Sequence, residues 1–218
     1  MKILSFLVAF VWVVSVVCAT AGYSEEVGAV IKLPDPVTEG GKPLMQALKE
    51  RQSARSFSPQ PLPAQTLSNL LWAAFGVNRP GTGKRTAPSA VNWQEIDVYV
   101  ATADGLYLFD AKAHALKLIS KADIREATGT QGFVKDAPVN LVYAADLSKM
   151  GRRSKEDKAV YSAADAGFIS QNVYLYCASE GLATVVRGSI DRTKLSGLMK
   201  LRPDQKIVLA QSVGYPKK

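Results

Sequence analysis

The chain has 218 residues with 27 Lys and Arg against 19 Asp and Glu, a formal charge of +8, one histidine and two cysteines. A single histidine excludes a multi-histidine metal centre and a histidine-based triad, and two cysteines exclude a disulfide-rich scaffold. The basic residues are scattered apart from Lys84–Arg85 and Arg152–Arg153–Lys155, without the aromatic-interleaved stripe that binds nucleic acid, so the charge is read as solubility plus an anionic ligand, or as attraction to an anionic surface.

In chain order, Lys2, the apolar stretch from Ile3 to Val17 and the small residues Ala19, Thr20 and Ala21 predict a signal peptide over 1–21, cleaved after Ala21. The stretch is shorter than the roughly 20 residues of a spanning helix, which disfavours an uncleaved anchor. Bulky Val17 before Cys18 disfavours a lipoprotein. The expected location is periplasmic or secreted, and cleavage leaves Cys177 without an intrachain disulfide partner. Residues 22–41 are polar, Pro-containing and aperiodic, which predicts an extended arm or tether, and 42–218 read as one domain.

Leu44, Ala47 and Leu48 predict a short helix entered at Pro43, and Leu67, Leu70, Leu71, Ala74 and Phe75 a second from Ala64 to a stop at Gly76, with Trp72 as a core residue. A loop is expected from Asn78 to Pro88. Strands follow at Ile96–Val100, Leu106–Phe109 and Leu116–Ile119, then a brief helix capped by Ser120 and closing near Gly129, then a buried strand at Val139–Ala145. Ser154 caps the longest helix, which runs to about Glu180 with Gly181 as its stop; from Val160 to Cys177 it is apolar on every face, so it is expected to be buried in a core or against a second subunit. Strands at Leu182–Val186 and Ile207–Val213, with a helix around Thr193–Met199 between them, complete an α+β chain without regular βα alternation.

Two polar runs carry the chemistry. RQSARSF supplies Arg51, Gln52, Ser53 and Arg55; on a helix end, arginines four apart share a face, and guanidinium is a fork matched to phosphate oxygens. Alone, that run reads equally as solvated surface arginines. APSAVNWQ supplies Pro88, Ser89, Ala90, Asn92 and Gln94, a Pro-ordered loop rich in uncharged hydrogen-bonding groups. Together they suit a phosphorylated, planar ligand.

With LLWAAFGVNRP, RTAPSAVNWQEIDVYV, FVKDAPVNLVYAAD, CASEGLATVVRGSID and the terminal VLAQSVGYP, the RQSARSF run resembles the FMN-dependent nitroreductase family over most of the mature chain. The resemblance implies a nitroreductase-like fold, a central, mostly antiparallel sheet flanked by helices in an intertwined homodimer with FMN between the subunits. It assigns Arg51 and Ser53 to the phosphate and Arg55 to the N1/O2 edge of the flavin, and counts Gln52 of the same run among the cofactor-binding residues. Pro88, Ser89, Ala90 and Asn92 line the isoalloxazine from the other subunit. Backbone groups of Val186, Arg187 and Gly188 face N5, and Gln131 lies at the flavin edge. Many members draw a further basic group from a longer tail; here Lys217, Lys218 or Arg85 is expected to stand in. The implied activity is transfer of two electrons through N5 to or from a small flat acceptor, quinone- or nitroaromatic-like, in a ping-pong cycle, with NAD(P)H or another donor. A dehydrogenase like the azoline-oxidising members and a non-catalytic flavin or small-ligand binder, its ring face blocked by side chains such as Trp93, are the alternatives.

Other candidates are set aside. GTGKRT at 81–86 lacks Walker spacing, and no strand is followed by GxGxxG. Asp136 and Asp146 are read as turn residues, KEDK at 155–158 as the solvated start of a helix, and His114 as a plain surface histidine in a turn.

Overall fold

The computed structural model describes Glu26 and residues 28–217. The predicted signal peptide, Cys18 and Lys218 lie outside the described residues. Alternating apolar positions build a seven-stranded sheet: β1 (Val30–Lys32), β4 (Ile96–Thr102), β5 (Gly105–Asp110), β6 (Ala115–Ser120), β7 (Val139–Asp146), β8 (Ala183–Arg187) and β9 (Gln205–Gly214). Their order is β1-β6-β5-β4-β7-β9-β8, with every pair antiparallel. β7 lies mid-sheet and is buried at every position, as a strand covered on both faces must be.

Helices α2 (Ala64–Phe75) and α3 (Lys155–Glu180) cover one face. Leu70, Leu71 and Phe75 of α2 and Ala166, Ile169, Val173 and Cys177 of α3 pack there on Val98, Val100, Leu141, Tyr143 and Val213. The short α1 (Leu44–Glu50) lies on α3. On the other face α4 (Arg192–Leu198) and its flanks set Ile190, Leu195 and Met199 against Tyr99, Ala101, Val142, Ala144 and Ala210. Ser154 accepts the Asp157 N–H at 3.0 Å to start α3, and Gly181, at φ 70°, ends it in the left-handed conformation that glycine adopts without steric cost.

Four expectations are corrected. The 22–41 segment contains β1, which pairs with β6 at the sheet edge. The expected loop at 78–88 holds a hairpin of β2 (Val77–Arg79) and β3 (Lys84–Arg85). The helix expected after Ser120 is a 3-10 turn over Arg125–Thr128, while Ser120 ends β6 and accepts the Ala122 N–H. His114 is engaged rather than free: its Nε2 is 2.7 Å from Ser68 Oγ, and its ring lies edge-on to Phe109. Ser68 is fully buried and donates to Pro34 O at 2.6 Å, so its hydroxyl accepts from the histidine and ties arm, α2 and the β5–β6 turn together.

Candidate functional site

Arg51 ends α1 with an extended backbone, φ −57° and ψ 121°, so the RQSARSF run leaves the helix rather than continuing it, and Arg51 and Arg55 do not share a helical face as expected. The run lies along β8 instead: the Ala54 N–H donates to Thr184 O at 2.9 Å. A tyrosine from α3 fastens the two together. Tyr174 is 7% exposed, and its hydroxyl is 2.8 Å from Ser53 Oγ while accepting the Val186 N–H at 3.0 Å. The Arg51 guanidinium stands over the same ring at 5.2 Å.

β8 is the edge strand, so its backbone polar groups alternate between β9 and the open side. Thr184 O and Val186 N–H face outward, to Ala54 and Tyr174. The next outward donor is the N–H of Gly188, which is exposed and has no hydrogen-bond partner among the described residues. Next to this edge is a cleft of about 480 Å³ lined by Lys42, Lys49, Glu50, Arg51, Gln52, Ala54, Tyr174, Thr184 and Pro216. Lys42 is committed to Glu50 at 2.6 Å and to Ala178 O at 3.0 Å. Lys49 and Arg55 are exposed and make no hydrogen bond or ion pair among the described residues, and Arg51 has only its ring contact. The C-terminal tail arrives here too, through a bridge between Pro216 and Phe57 and the Lys217 N–H to Ser56 O at 3.4 Å.

The second run lies elsewhere in the protomer. Pro88 and Asn92 are exposed and Ser89 and Ala90 half-buried, in a loop whose Ala90 N–H donates to Asp165 of α3 at 3.0 Å. Asp165 and Tyr174 are nine residues apart on α3, about 13 Å of helical rise, so the two runs flank α3 at separate places. Asn92 opens on a second cleft of about 710 Å³ with Trp93, Gln94, Arg85 and Lys112. Arg85 does not line the first cleft; its guanidinium sits over Phe75 at 4.4 Å and donates to Gln94 Oε1 at 2.8 Å, and burial lowers its pKa.

The third group splits by side-chain direction. Val186 is half-buried with its N–H engaged, and Gly188 is exposed, but the Arg187 side chain is 4% exposed and points to the α4 side. Its guanidinium donates to Thr128 O at 2.5 Å, Asn140 Oδ1 at 2.6 Å and Ser212 Oγ at 3.1 Å; among the described residues no carboxylate pairs with it and Nε has no partner, and burial lowers it to about 10. Gly129 is required beside it, since a Cβ there would collide with the guanidinium. Gln131 lies in this region, its Oε1 buried without a partner, and lines neither cleft.

Tyr174 and Lys49 were missed by the sequence reading. Tyr174 resembles any aromatic in the last turns of a buried helix, and Lys49 any solvated lysine; only their place beside RQSARSF in the fold singles them out.

A model of the Nitroreductase family matches residues 48–215, a span that includes both runs and the β8 edge. The chain belongs to the nitroreductase family. This nitroreductase-family chain is 46% identical to a candidate nitroreductase from Ralstonia eutropha JMP134, whose crystal structure superposes with a TM-score of 0.84 over 87% of this chain and 90% of that one. It is 29% identical over 169 residues to a candidate nitroreductase of Methanocaldococcus jannaschii, covering 73% of this chain and 85% of the relative. The NADPH:FMN oxidoreductase of Vibrio harveyi, solved with NAD+, shares the fold at 17% identity with a TM-score of 0.60 over 80% of this chain and 69% of that one.

Proposed function

We propose that this nitroreductase-family protein is an exported, homodimeric FMN oxidoreductase that passes two electrons to or from a small flat acceptor, quinone- or nitroaromatic-like, in a ping-pong cycle. The observation that carries the reading is the cleft beside β8. Its volume of about 480 Å³ falls within the roughly 300–1,000 Å³ of small-ligand sites. Uncommitted cations, Arg51 and Lys49, stand at its α1 end, and the unpartnered Gly188 N–H lies along the same strand edge. A phosphate at one end and a ring acceptor at the other match that donor set.

When bound, FMN supplies the electron-transfer chemistry through N5, and the protein supplies position and charge. Arg51 and Lys49 hold the phosphate, with Ser53 held in place by Tyr174. The Gly188 N–H would be the backbone donor for the flavin ring at N5, and Arg55, exposed and outside the cleft lining, would supply a fixed positive charge toward the N1/O2 edge, favouring the reduced anion. Pro88, Ser89, Ala90 and Asn92 are assigned to the partner's site. Lys217 is the nearer substitute for the tail cation, because its backbone is bonded to Ser56 whereas Arg85 is engaged with Gln94 and Phe75.

A dimer is supported by apolar side chains left in the open. Val160, Tyr161 and Phe168 of α3 are 66%, 40% and 48% exposed, and Leu44, Met45 and Leu48 of α1, which packs on the C-terminal part of α3, are exposed as well. Tyr161, Ala164 and Phe168 follow helical spacing along one face, and contiguous exposed patches of this kind mark interfaces. Export rests on the sequence of residues 1–21.

The test is anaerobic. FMN-loaded protein reduced by dithionite is mixed with a quinone or a nitroaromatic in stopped flow, and steady-state rates are measured with both substrates varied. Rapid reoxidation with parallel double-reciprocal lines is expected; a reduced protein that no such acceptor reoxidises refutes the activity.

A further inference from the structure

Two carboxyl groups lie inside the protein with no cation bonded to either among the described residues. Glu95, which ends the 88–94 loop and leads into β4, is fully buried, and neither of its carboxyl oxygens meets a hydrogen-bond donor. Asp165, on the sheet-facing side of α3, is 2% exposed, and its Oδ2 accepts the Ala90 N–H. The two side chains face each other. Lys149 is the nearby cation, but its Nζ is engaged 2.9 Å from Asp97 Oδ1 and 3.4 Å from Gln94 O. Asp146 touches Glu95 through its backbone N–H alone, and its own carboxylate is bonded to Arg202 and Ser148.

The loop between these two groups is strained. Val91, Asn92 and Gln94 have φ of 52°, 57° and 49°, in the left-handed region, which a β-branched residue such as Val91 rarely adopts. Strain of this kind persists only where the surroundings over-determine it, and it clusters at ligand clamps and switches. Two bonds impose it at the start of the loop: Ser89 Oγ accepts the Gln94 N–H at 2.8 Å, and Asp165 holds the Ala90 N–H.

Two carboxylates cannot both ionise in one dry site, so the pair keeps a proton. Asp165 holds a 3.0 Å bond from the Ala90 N–H, whereas Glu95, the more deeply buried of the two, is approached only by its own backbone N–H, which places the charge on Asp165 and the proton on Glu95. We propose that Glu95 and Asp165 form a one-proton lock that holds the 88–94 loop in its strained conformation, and that loss of the proton releases the loop. A second charge on Glu95 repels Asp165, which retreats only by giving up the Ala90 N–H. Burial, with the neighbouring Asp165 charge, raises the Glu95 carboxyl to about 7. A carboxyl raised in the closed state binds a proton that the released state does not hold. The proton's contribution to closure is therefore fully present below the ordinary value of 4.5 and is lost as the pH rises from there through about 7. The lock is a property of the chain alone; its consequence for the cofactor, weaker FMN binding at higher pH, rests on the proposed function.

Trp93 reports the loop, because it lies edge-on to Tyr161 at 5.6 Å and under the Arg153 guanidinium at 5.5 Å. In the full chain without added flavin, its emission should titrate between pH 4.5 and about 7, and Trp93→Phe should remove the change. Glu95→Gln, neutral and of the same shape, should keep the low-pH emission across the range. Asp165→Leu should show the released emission at every pH; should it fail to fold, amide exchange at Ala90 replaces it, slow at high pH in Glu95→Gln and accelerated in the wild type. An emission that does not titrate in the wild type, or that titrates unchanged in Glu95→Gln, overturns the lock. FMN affinity at pH 6 and pH 8 is a separate arm: failure to bind at either pH counts against the flavin reading and leaves the Trp93 titration as the judge of the lock.

Discussion

Tyr174→Phe isolates the side-chain atom that ties the arginine run to the sheet beside the Ala54–Thr184 backbone bond. The ring stays, so the packing of α3 and the stacking under Arg51 are retained, while the hydroxyl between Ser53 Oγ and the Val186 N–H is lost. The Ser53 bond is worth on the order of 1 kcal/mol, and a backbone donor left without a partner costs about 1–3 kcal/mol when fully buried. Val186 is half-buried, so water replaces part of that loss, and the expected total is about 2 kcal/mol. In a domain of this size that is a fall in Tm of about 4–8 °C. Urea unfolding followed by circular dichroism should show a lower midpoint with an unchanged slope, and FMN affinity should fall with it as Ser53 loses its support. A destabilisation below about 0.5 kcal/mol together with unaltered FMN affinity would refute the claim that this hydroxyl organises the site.

Arg51→Ala should weaken FMN about tenfold or more while changing riboflavin affinity little, since the lost contact is to phosphate; equal losses for both ligands in fluorescence titrations would move Arg51 away from that end. Arg55→Ala should weaken FMN and shift its midpoint potential downward, read by spectroelectrochemistry. Arg187→Leu leaves Thr128 O buried without its donor, while Asn140 Oδ1 keeps only the Ser212 hydroxyl, and should cost about 1–3 kcal/mol of stability in denaturant unfolding. Burial lowers the pKa of His114, so its neutral form is the one the fold favours; stability should fall as the pH drops below the unfolded value near 6.5, and the difference in Tm between wild type and His114→Gln should carry that dependence.

The sheet was legible where one chain segment carries its own pattern. β4 alternates Ile96, Val98 and Val100, β7 is a continuous apolar run, and α3 has a serine at its start and a glycine at its end. β1 was not, because three residues in a Pro-rich arm become a strand only when β6 offers an edge. The β2–β3 hairpin was hidden for the same reason, inside a segment whose Pro80, Gly81 and Gly83 signal turns. Apolar residues all round α3 were readable, but not that Val160, Tyr161 and Phe168 stay open in one protomer. Within the site, the runs themselves announced their chemistry by residue type, whereas Tyr174 acquires its role from a hydroxyl that reaches two segments far away in sequence. Glu95 and Asp165 are single acids in the sequence with nothing around them to mark a pair, and only the fold brings them together out of water.

The central claim, that the cleft beside β8 is built for a flavin phosphate and ring, is tested most directly by loading the purified mature protein with FMN, desalting it and recording its absorbance spectrum. The account predicts a yellow protein that retains one flavin per protomer. A colourless protein after incubation with excess FMN would contradict it.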